Sequence, residues 1–339
     1  MTKTDWTTPG VYEVAPGVHR IPLPLPNDGL RAVNVYAITG SDGLTLIDSG
    51  WAIPDGKDQL ESGLRELGAG FADVRRFLVT HMHRDHYSQA VHLRREFGTR
   101  VSLGAEERWS LETTMRPGRA IAQEQVAYLR ELGASDVADQ MGQHHGRIDL
   151  SDWELPDDWF TPNEVVIAGT RSLEVVETPG HTRGHVVFFD TPGALLFAGD
   201  HVLPTITPSI GFEPALADNP LGAFLASLAI VRARPDAMLL PAHGPVTSSV
   251  HDRVDELVEH HRLRLDAMAA ALGWGADTAA AVAAVVTWTR HARAFADLDV
   301  FNQFLAVCES GAHLDLLVAQ GRATRSVRDG VRHYVLTGH

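Results

Sequence analysis

Three histidines and one aspartate crowd into Thr80-His81-Met82-His83-Arg84-Asp85-His86, and this cluster constrains the chain more than any other stretch. With 18 histidines in 339 residues, the order His-x-His-x-Asp-His should arise by chance in roughly a few chains per thousand of this length. The run Arg76 to Thr80 reads as a buried strand and ends at the cluster. Residues two apart at a strand end point the same way, so His81 and His83 can grip one cation. Asp85 and His86 follow on the turn into a helix expected over 86–97 and can face a neighbouring cation. The competing reading is a solvated histidine-rich loop.

Three later places weaken that alternative. His181 closes Thr178-Pro179-Gly180-His181, Asp200 closes Phe197-Ala198-Gly199-Asp200, and His243 sits in Leu240-Pro241-Ala242-His243-Gly244. Each follows a candidate strand, and a glycine or proline beside each lets the backbone turn sharply toward a ligand. Together five histidines and two aspartates can supply three or more ligands to each of two ions, with one residue to bridge them.

Around these points the chain reads as strands at 18–23, 33–38 and 44–47, the last two joined by the hairpin signal Thr39-Gly40-Ser41-Asp42-Gly43. The spacing of Leu60, Leu64 and Leu67 predicts a helix over 57–67. Residues 105–165 change character, with a helical pattern at 120–132, an acidic run at 149–158 and Trp109, Trp153 and Trp159. They read as a helical insertion over the site. Strands resume at 164–167, 173–177, 186–189 and 194–197, followed by a proline-rich loop at 204–220, a helix at 221–234 and a strand at 237–240. A first domain over 1–246 is expected to end there. In residues 247–339, helices at 250–272, 278–290 and 300–320 precede strands at 323–327 and 331–336 joined by Arg328-Asp329-Gly330, which suggests a winged-helix-like domain.

The ordered set His-x-His-x-Asp-His, Gly-His, Gly-Asp and His-Gly resembles the metallo-β-lactamase-fold hydrolases, the group that includes glyoxalase II, over roughly residues 11–246. The resemblance implies an α+β chain built as an αββα sandwich, with two metal ions at one edge of two packed sheets. It implies that His81, His83 and His181 hold the first ion, that Asp85, His86 and His243 hold the second, and that Asp200 bridges them. Asp85 and Asp200 would also be the catalytic carboxylates that orient an activated water. Asp48, in Leu46-Ile47-Asp48-Ser49-Gly50, matches the family's early Asp-x-Gly turn, and His185 matches a position that supports the site. For both, a purely structural role is at least as well founded as a chemical one. Where the family often has glycine two residues after the last histidine of the first motif, this chain has Ser88. Residues 298–336 resemble the winged-helix tail carried by some lactamase-like hydrolases.

Histidine and carboxylate ligands favour zinc, with iron and manganese also accepting such a set. Water activated between two cations suits attack on an ester-type bond, with an acyl thioester first. Asp200 argues against antibiotic hydrolysis, because true β-lactamases of the family typically lack the bridging aspartate. The alternatives are a phosphodiesterase or ribonuclease, a lactonase, and a non-hydrolytic iron dioxygenase. Trp109, Trp153 and Trp159, with Phe160 and the 204–220 loop, either line an apolar pocket for an acyl group or are simply core. The net charge of −14 disfavours nucleic acid and anionic membranes as partners. From residue 250 onward nine basic residues face eleven acidic ones, so packing or homodimerisation is the preferred role for the tail, despite a local basic wing of Arg322, Arg325, Arg328 and Arg332. The single cysteine, Cys308, allows no internal disulfide and no cysteine-based cluster. The most apolar run, 279–288, is too short to span a bilayer, and residues 1–17 carry no basic leader or apolar core of signal-peptide length. A soluble cytoplasmic protein with a small-molecule substrate is the expectation.

Overall fold

A computed structural model describes residues 5–26, 29–116, 123–143, 150–289 and 291–338. The chain packs into two compact units: Met1–Met115 with Asp149–Pro208 and Ser227–Val254, and Arg116–Ile148 with Ser209–Ala226 and Asp255–His339.

The first unit is built on two sheets. In the seven-stranded sheet, β1 (Tyr12–Ala15), β2 (Val18–Pro24), β3 (Ala32–Gly40) and β4 (Gly43–Ile47) form an antiparallel meander. Parallel strands β5 (Val74–Leu78), β6 (Arg100–Gly104) and β7 (Asp158–Phe160) extend it. Parallel neighbours need crossover connections, and helices α1 (Pro54–Glu66) and α2 (Arg84–Phe97) supply two of them. The α2 helix stops at Gly98, whose φ of 73° closes its C-terminus in the left-handed conformation. The second sheet runs β12 (Met238–Pro241), β11 (Leu195–Gly199), β10 (Val186–Asp190), β9 (Arg171–Glu177), β8 (Val165–Ala168). All its pairs are antiparallel except β11 with β12.

Period-two alternation along β3 explains how the layers stack. Val33, Val35 and Ala37 join Leu46, Phe77, Leu60, Leu64 and Val91 in the core beneath α1 and α2. Tyr36 and Ile38 turn the other way and meet Phe188, Phe197, Val175 and Leu240 in the core between the sheets. Strand β3 is thus buried on both faces, and each such Leu, Val or Phe contributes about 1.5–3 kcal/mol by leaving water. The α+β class and the two-sheet sandwich expected from the sequence are present.

Strands β6 and β7 are not legible in the sequence. Residues 150–165 pack with the sheets rather than in a helical insertion, because β7 pairs with β6 through Ser102–Asp158 and Leu103–Trp159. This removes most of the supposed acyl pocket. Phe160 is 2% exposed between the sheets, and Trp153 and Trp159 pack half-buried against the core under the helices. Trp109, on α3 (Glu107–Thr114), is 55% exposed.

The second unit contains α4 (Gln123–Glu131), α5 (Ser135–Gln143), α8 (Ala279–Val285), α9 (Val300–Ala319) and the hairpin β13 (Ala323–Arg328) with β14 (Val331–Leu336). Residues 120–122 of the helix expected at 120–132 lie outside the described residues. The helix expected at 278–290 ends at Val285, after which Val286 is extended and Trp288 bridges to Arg293; residue 290 lies outside the described residues. Two further helices, α6 (Pro220–Arg232) and α7 (Val250–Gly273), each contribute to both units. The two units therefore do not follow the single boundary expected near residue 246. The reason is local packing: Leu132 touches Gly311 of α9, Ala280 N donates to Leu132 O at 3.0 Å, and Arg332 of β14 pairs with Glu131 at 2.7 Å. No helix among the described residues is long and apolar enough to cross a membrane.

Candidate metal centre

The site grows from strand ends. Asp48 follows β4 with φ of 58°, a left-handed conformation that aspartate tolerates better than most residues. Its buried carboxylate accepts from Thr80 N at 2.8 Å, from Thr80 Oγ1 at 3.0 Å and from His86 Nδ1 at 2.9 Å. An ionised carboxylate can only accept, so the Thr80 hydroxyl proton and the His86 Nδ1 proton both point at Asp48. Thr80 Oγ1 is then left to accept from His81 Nδ1, 3.1 Å away. His243 donates from Nδ1 to Ala32 O at 2.8 Å. His81, His86 and His243 therefore each spend Nδ1–H on an acceptor outside the cluster and turn the Nε2 lone pair inward, the arrangement that prepares imidazole for a cation.

All seven side chains singled out in the sequence come together, in two groups. His81, His83, His181 and Asp200 form one, Asp85, His86 and His243 the other, and within each group the possible ligand atoms lie within 4.8 Å of one another. His83 Nδ1 lies 2.9 Å from His81 Nε2 and 3.0 Å from His181 Nε2. Asp200 faces both groups: Oδ2 is 3.4 Å from His181 Nε2, while Oδ1 is 3.4 Å from His243 Nε2 and 3.7 Å from His86 Nε2. Asp85 Oδ2 lies 3.3 Å from His243 Nε2 and 3.6 Å from His86 Nε2. His86 Nε2, His243 Nε2 and Asp200 Oδ1 are buried with no hydrogen-bond partner among the described residues. Buried polar atoms left so are costly, and a divalent cation among them satisfies all three at once. The donor set therefore fits metal.

Burial and the surrounding imidazoles hold His81 and His83 well below the ordinary histidine range, in the neutral form that binds metal. Burial would also lower His86, but Asp85, Asp48 and Asp200 outweigh it and pull His86 up to about 10, so in the absence of a cation His86 Nε2 carries a proton that a bound metal ion would displace. Burial would raise the Asp85 carboxyl, yet His86 and His243 hold it below the usual carboxylate range.

The loops that present these residues are tied to the sheets. Asn34 N donates to Ala242 O at 2.7 Å, Asn34 Nδ2 donates to Pro241 O at 3.0 Å and Gly244 O at 2.9 Å, and Tyr36 OH donates to Pro241 O at 2.8 Å. Arg20 Nη1 in turn donates to Asn34 Oδ1 at 2.9 Å. His185 is no ligand. Its Nε2 accepts from the backbone N of Asp200 at 3.1 Å and its Nδ1 faces Thr178 Oγ1 at 2.8 Å, so it pins the backbone that carries Asp200. Gly199, with φ of 48°, leaves room for this contact; a Cβ there would stand 2.7 Å from His185 Nε2 and 2.7 Å from Thr80 Cβ. Ser88, where the family pattern often has glycine, donates to Arg84 O at 2.6 Å and accepts from Ala52 N at 2.8 Å. The His181 loop is fixed backbone to backbone: a Cβ on Gly104 would lie 1.9 Å from Gly184 O, and one on Gly184 2.2 Å from Glu107 N.

Sequence reasoning missed Thr80, Asn34, Tyr36 and Gly199 as supports. Asn34 carried a signal, being a lone amide inside the apolar run Val33–Ile38. A groove of about 800 Å³ lined by Arg75, Arg76, Arg100, Asp158 and Trp159 gathers at the starts of β5–β7, whereas the donors follow strand ends, and it contains none of the seven.

The fold and this site define a metal-dependent hydrolase of the metallo-β-lactamase type: residues 28–243 match the Metallo-beta-lactamase superfamily, and the chain belongs to it. It is similar in structure to a metallo-beta-lactamase family protein of Thermus thermophilus, with a TM-score of 0.79 and 27% identity, covering 96% of this chain and 100% of that one. It is 23% identical over 205 residues to the hydroxyacylglutathione hydrolase GloC of Haemophilus influenzae, covering 58% of this chain and 81% of that protein. It is 32% identical over 108 residues to the beta-lactamase-like protein 2 homolog of Caenorhabditis elegans, so that match spans only 32% of that protein's length.

Proposed function

We propose that this protein is a binuclear hydrolase, zinc-loaded by preference, that cleaves acyl thioesters. The observation that carries the reading is the sharing of Asp200, one oxygen toward each histidine group. His81, His83 and His181 would hold one ion, Asp85, His86 and His243 the other, with Asp200 between them. Bound divalent ions supply Lewis acidity there, lowering the pKa of a water and polarising a carbonyl. The chain's own part is orientation and proton handling. Asp85, whose side chain is 21% exposed, would accept a proton from the attacking water and return it to the departing thiolate. Hydrolysis then yields one carboxylic acid and one thiol.

The name of the Haemophilus relative, a hydroxyacylglutathione hydrolase, supports a thioester substrate. Against a nucleic-acid substrate stands the pairing of three of the four arginines of the basic wing. Arg325 and Arg332 reach Asp315 at 2.9 and 3.3 Å, and Arg322 reaches Asp266 at 3.1 Å. Such pairs favour a winged-helix-like tail used for packing or homodimerisation, and a small-molecule substrate. The test is elemental analysis of the purified protein together with a screen of thioesters, lactones and phosphodiesters. Two zincs per chain and thioester turnover support the proposal. One iron with oxygen consumption, or turnover of phosphodiesters alone, overturns it.

A further inference from the structure

Arg84 stands inside the first metal-type motif, between His83 and Asp85, yet no role so far accounts for it. It opens α2, where the helix dipole presents its positive end, so a cation there works against helix stability. It is solvent-exposed, and its guanidinium carbon lies 3.7 Å from the centre of the Trp51 ring, three residues past Asp48. Among the described residues that guanidinium makes no hydrogen bond and no ion pair. Stacking on an indole fixes the plane of an arginine and leaves its N–H edges free for an oxyanion in that plane. Arg183, two residues past His181, makes the contrast. It lies 5.8 Å over Trp109 but has Glu106 at 3.6 Å.

We infer that Arg84, held on Trp51, is a specificity residue that binds an anionic group of the substrate, a carboxylate or phosphate oxygen set apart from the bond that is cleaved. The inference rests on the thioester reading and names the substrate class more closely, as an acyl thioester with a negative charge in its acyl or thiol half. In a chain of net charge −14, an unpaired cation one residue from His83 and one from Asp85 is a local attractor for such a group.

The test compares the wild type with Arg84→Gln and Arg84→Ala on three thioesters: uncharged, carboxylated in the acyl half, and phosphorylated in the thiol half. In both variants the ratio of kcat/KM for one charged substrate over the uncharged one should fall roughly tenfold, the scale of one charge-assisted hydrogen bond. That substrate identifies the half that carries the anion. Metal content and Tm should track the wild type. A ratio unchanged for both charged substrates in both variants overturns the inference. If the wild type cleaves none of the three, the thioester reading fails instead. Equilibrium binding of the carboxylated acid and of the phosphorylated thiol to the metal-loaded protein then decides: weaker binding in Arg84→Gln sustains the anion site, and equal binding overturns it.

Discussion

Asp48 Oδ2 lies 2.9 Å from His86 Nδ1, and the same carboxylate holds Thr80, which faces His81 Nδ1 at 3.1 Å. One buried acid therefore orients a histidine in each donor group. Its replacement should disturb both groups together. In Asp48→Asn the carboxylate can no longer accept from every donor around it, and metal affinity should fall roughly 10–100-fold. Titration with zinc and a competing chelator would check this. Loss from one group alone would break the link drawn here.

Asn34→Ala should destabilise the protein by about 2–4 kcal/mol. It removes the donors to Pro241 O and Gly244 O and takes from the buried Arg20 Nη1 one of its two acceptors, leaving Trp6 O. Urea unfolding measures it. A loss below about 0.5 kcal/mol, the range of ordinary surface changes, would mean that water or neighbours replace the amide.

Gly199→Ala and Gly68→Ala form a matched pair. Both glycines have positive φ, 48° and 75°, but a Cβ on Gly68 meets open space while one on Gly199 meets Thr80 and His185. Gly68→Ala should cost about 1 kcal/mol from backbone conformation alone. Gly199→Ala should cost clearly more and lower activity, because it pushes on the residues that pin Asp48 and Asp200. Equal effects in denaturant melts and assays would refute the crowding argument.

The second unit should carry an acid-sensitive element. His261 Nδ1 and His313 Nε2 lie 3.2 Å apart, and burial, reinforced for His261 by the neighbouring His313, holds the two down to about 2 and about 3. The unfolded chain therefore binds more protons than the folded one below the ordinary value of about 6.5. Stability is fully present above that pH and is lost as pH falls toward the folded values, by up to about 1.4 kcal/mol per pH unit for each histidine. The double replacement His261→Gln with His313→Gln should flatten the dependence of the urea midpoint between pH 7.5 and 5.5. An unchanged slope would assign the acid sensitivity elsewhere.

How much of this was legible follows from where the information resides. The seven donors stand at fixed offsets beside glycine or proline, so local spacing revealed them. Strands 33–38 and 173–177 carried enough β-branched and apolar residues to be read directly. Strand β7 has only three residues and is defined by pairing with β6, a partner more than fifty positions away, so nothing local marks it. Trp153 and Trp159 suit a pocket or a core equally well as sequence, and only packing distinguishes the two. The grouping of α4 and α5 with α9 depends on contacts such as Leu132 with Gly311, which no periodicity encodes.

The backbone contact at Gly104 and Gly184 has a practical consequence for anyone wishing to redirect this scaffold. The strand end and the His181 loop touch with no side chain between them, so even a methyl group at either position would act as a wedge and carry His181 with it. Residue variation aimed at new substrates belongs at Arg84 and Trp109, whose side chains are exposed, while those two hydrogens behave as part of the frame.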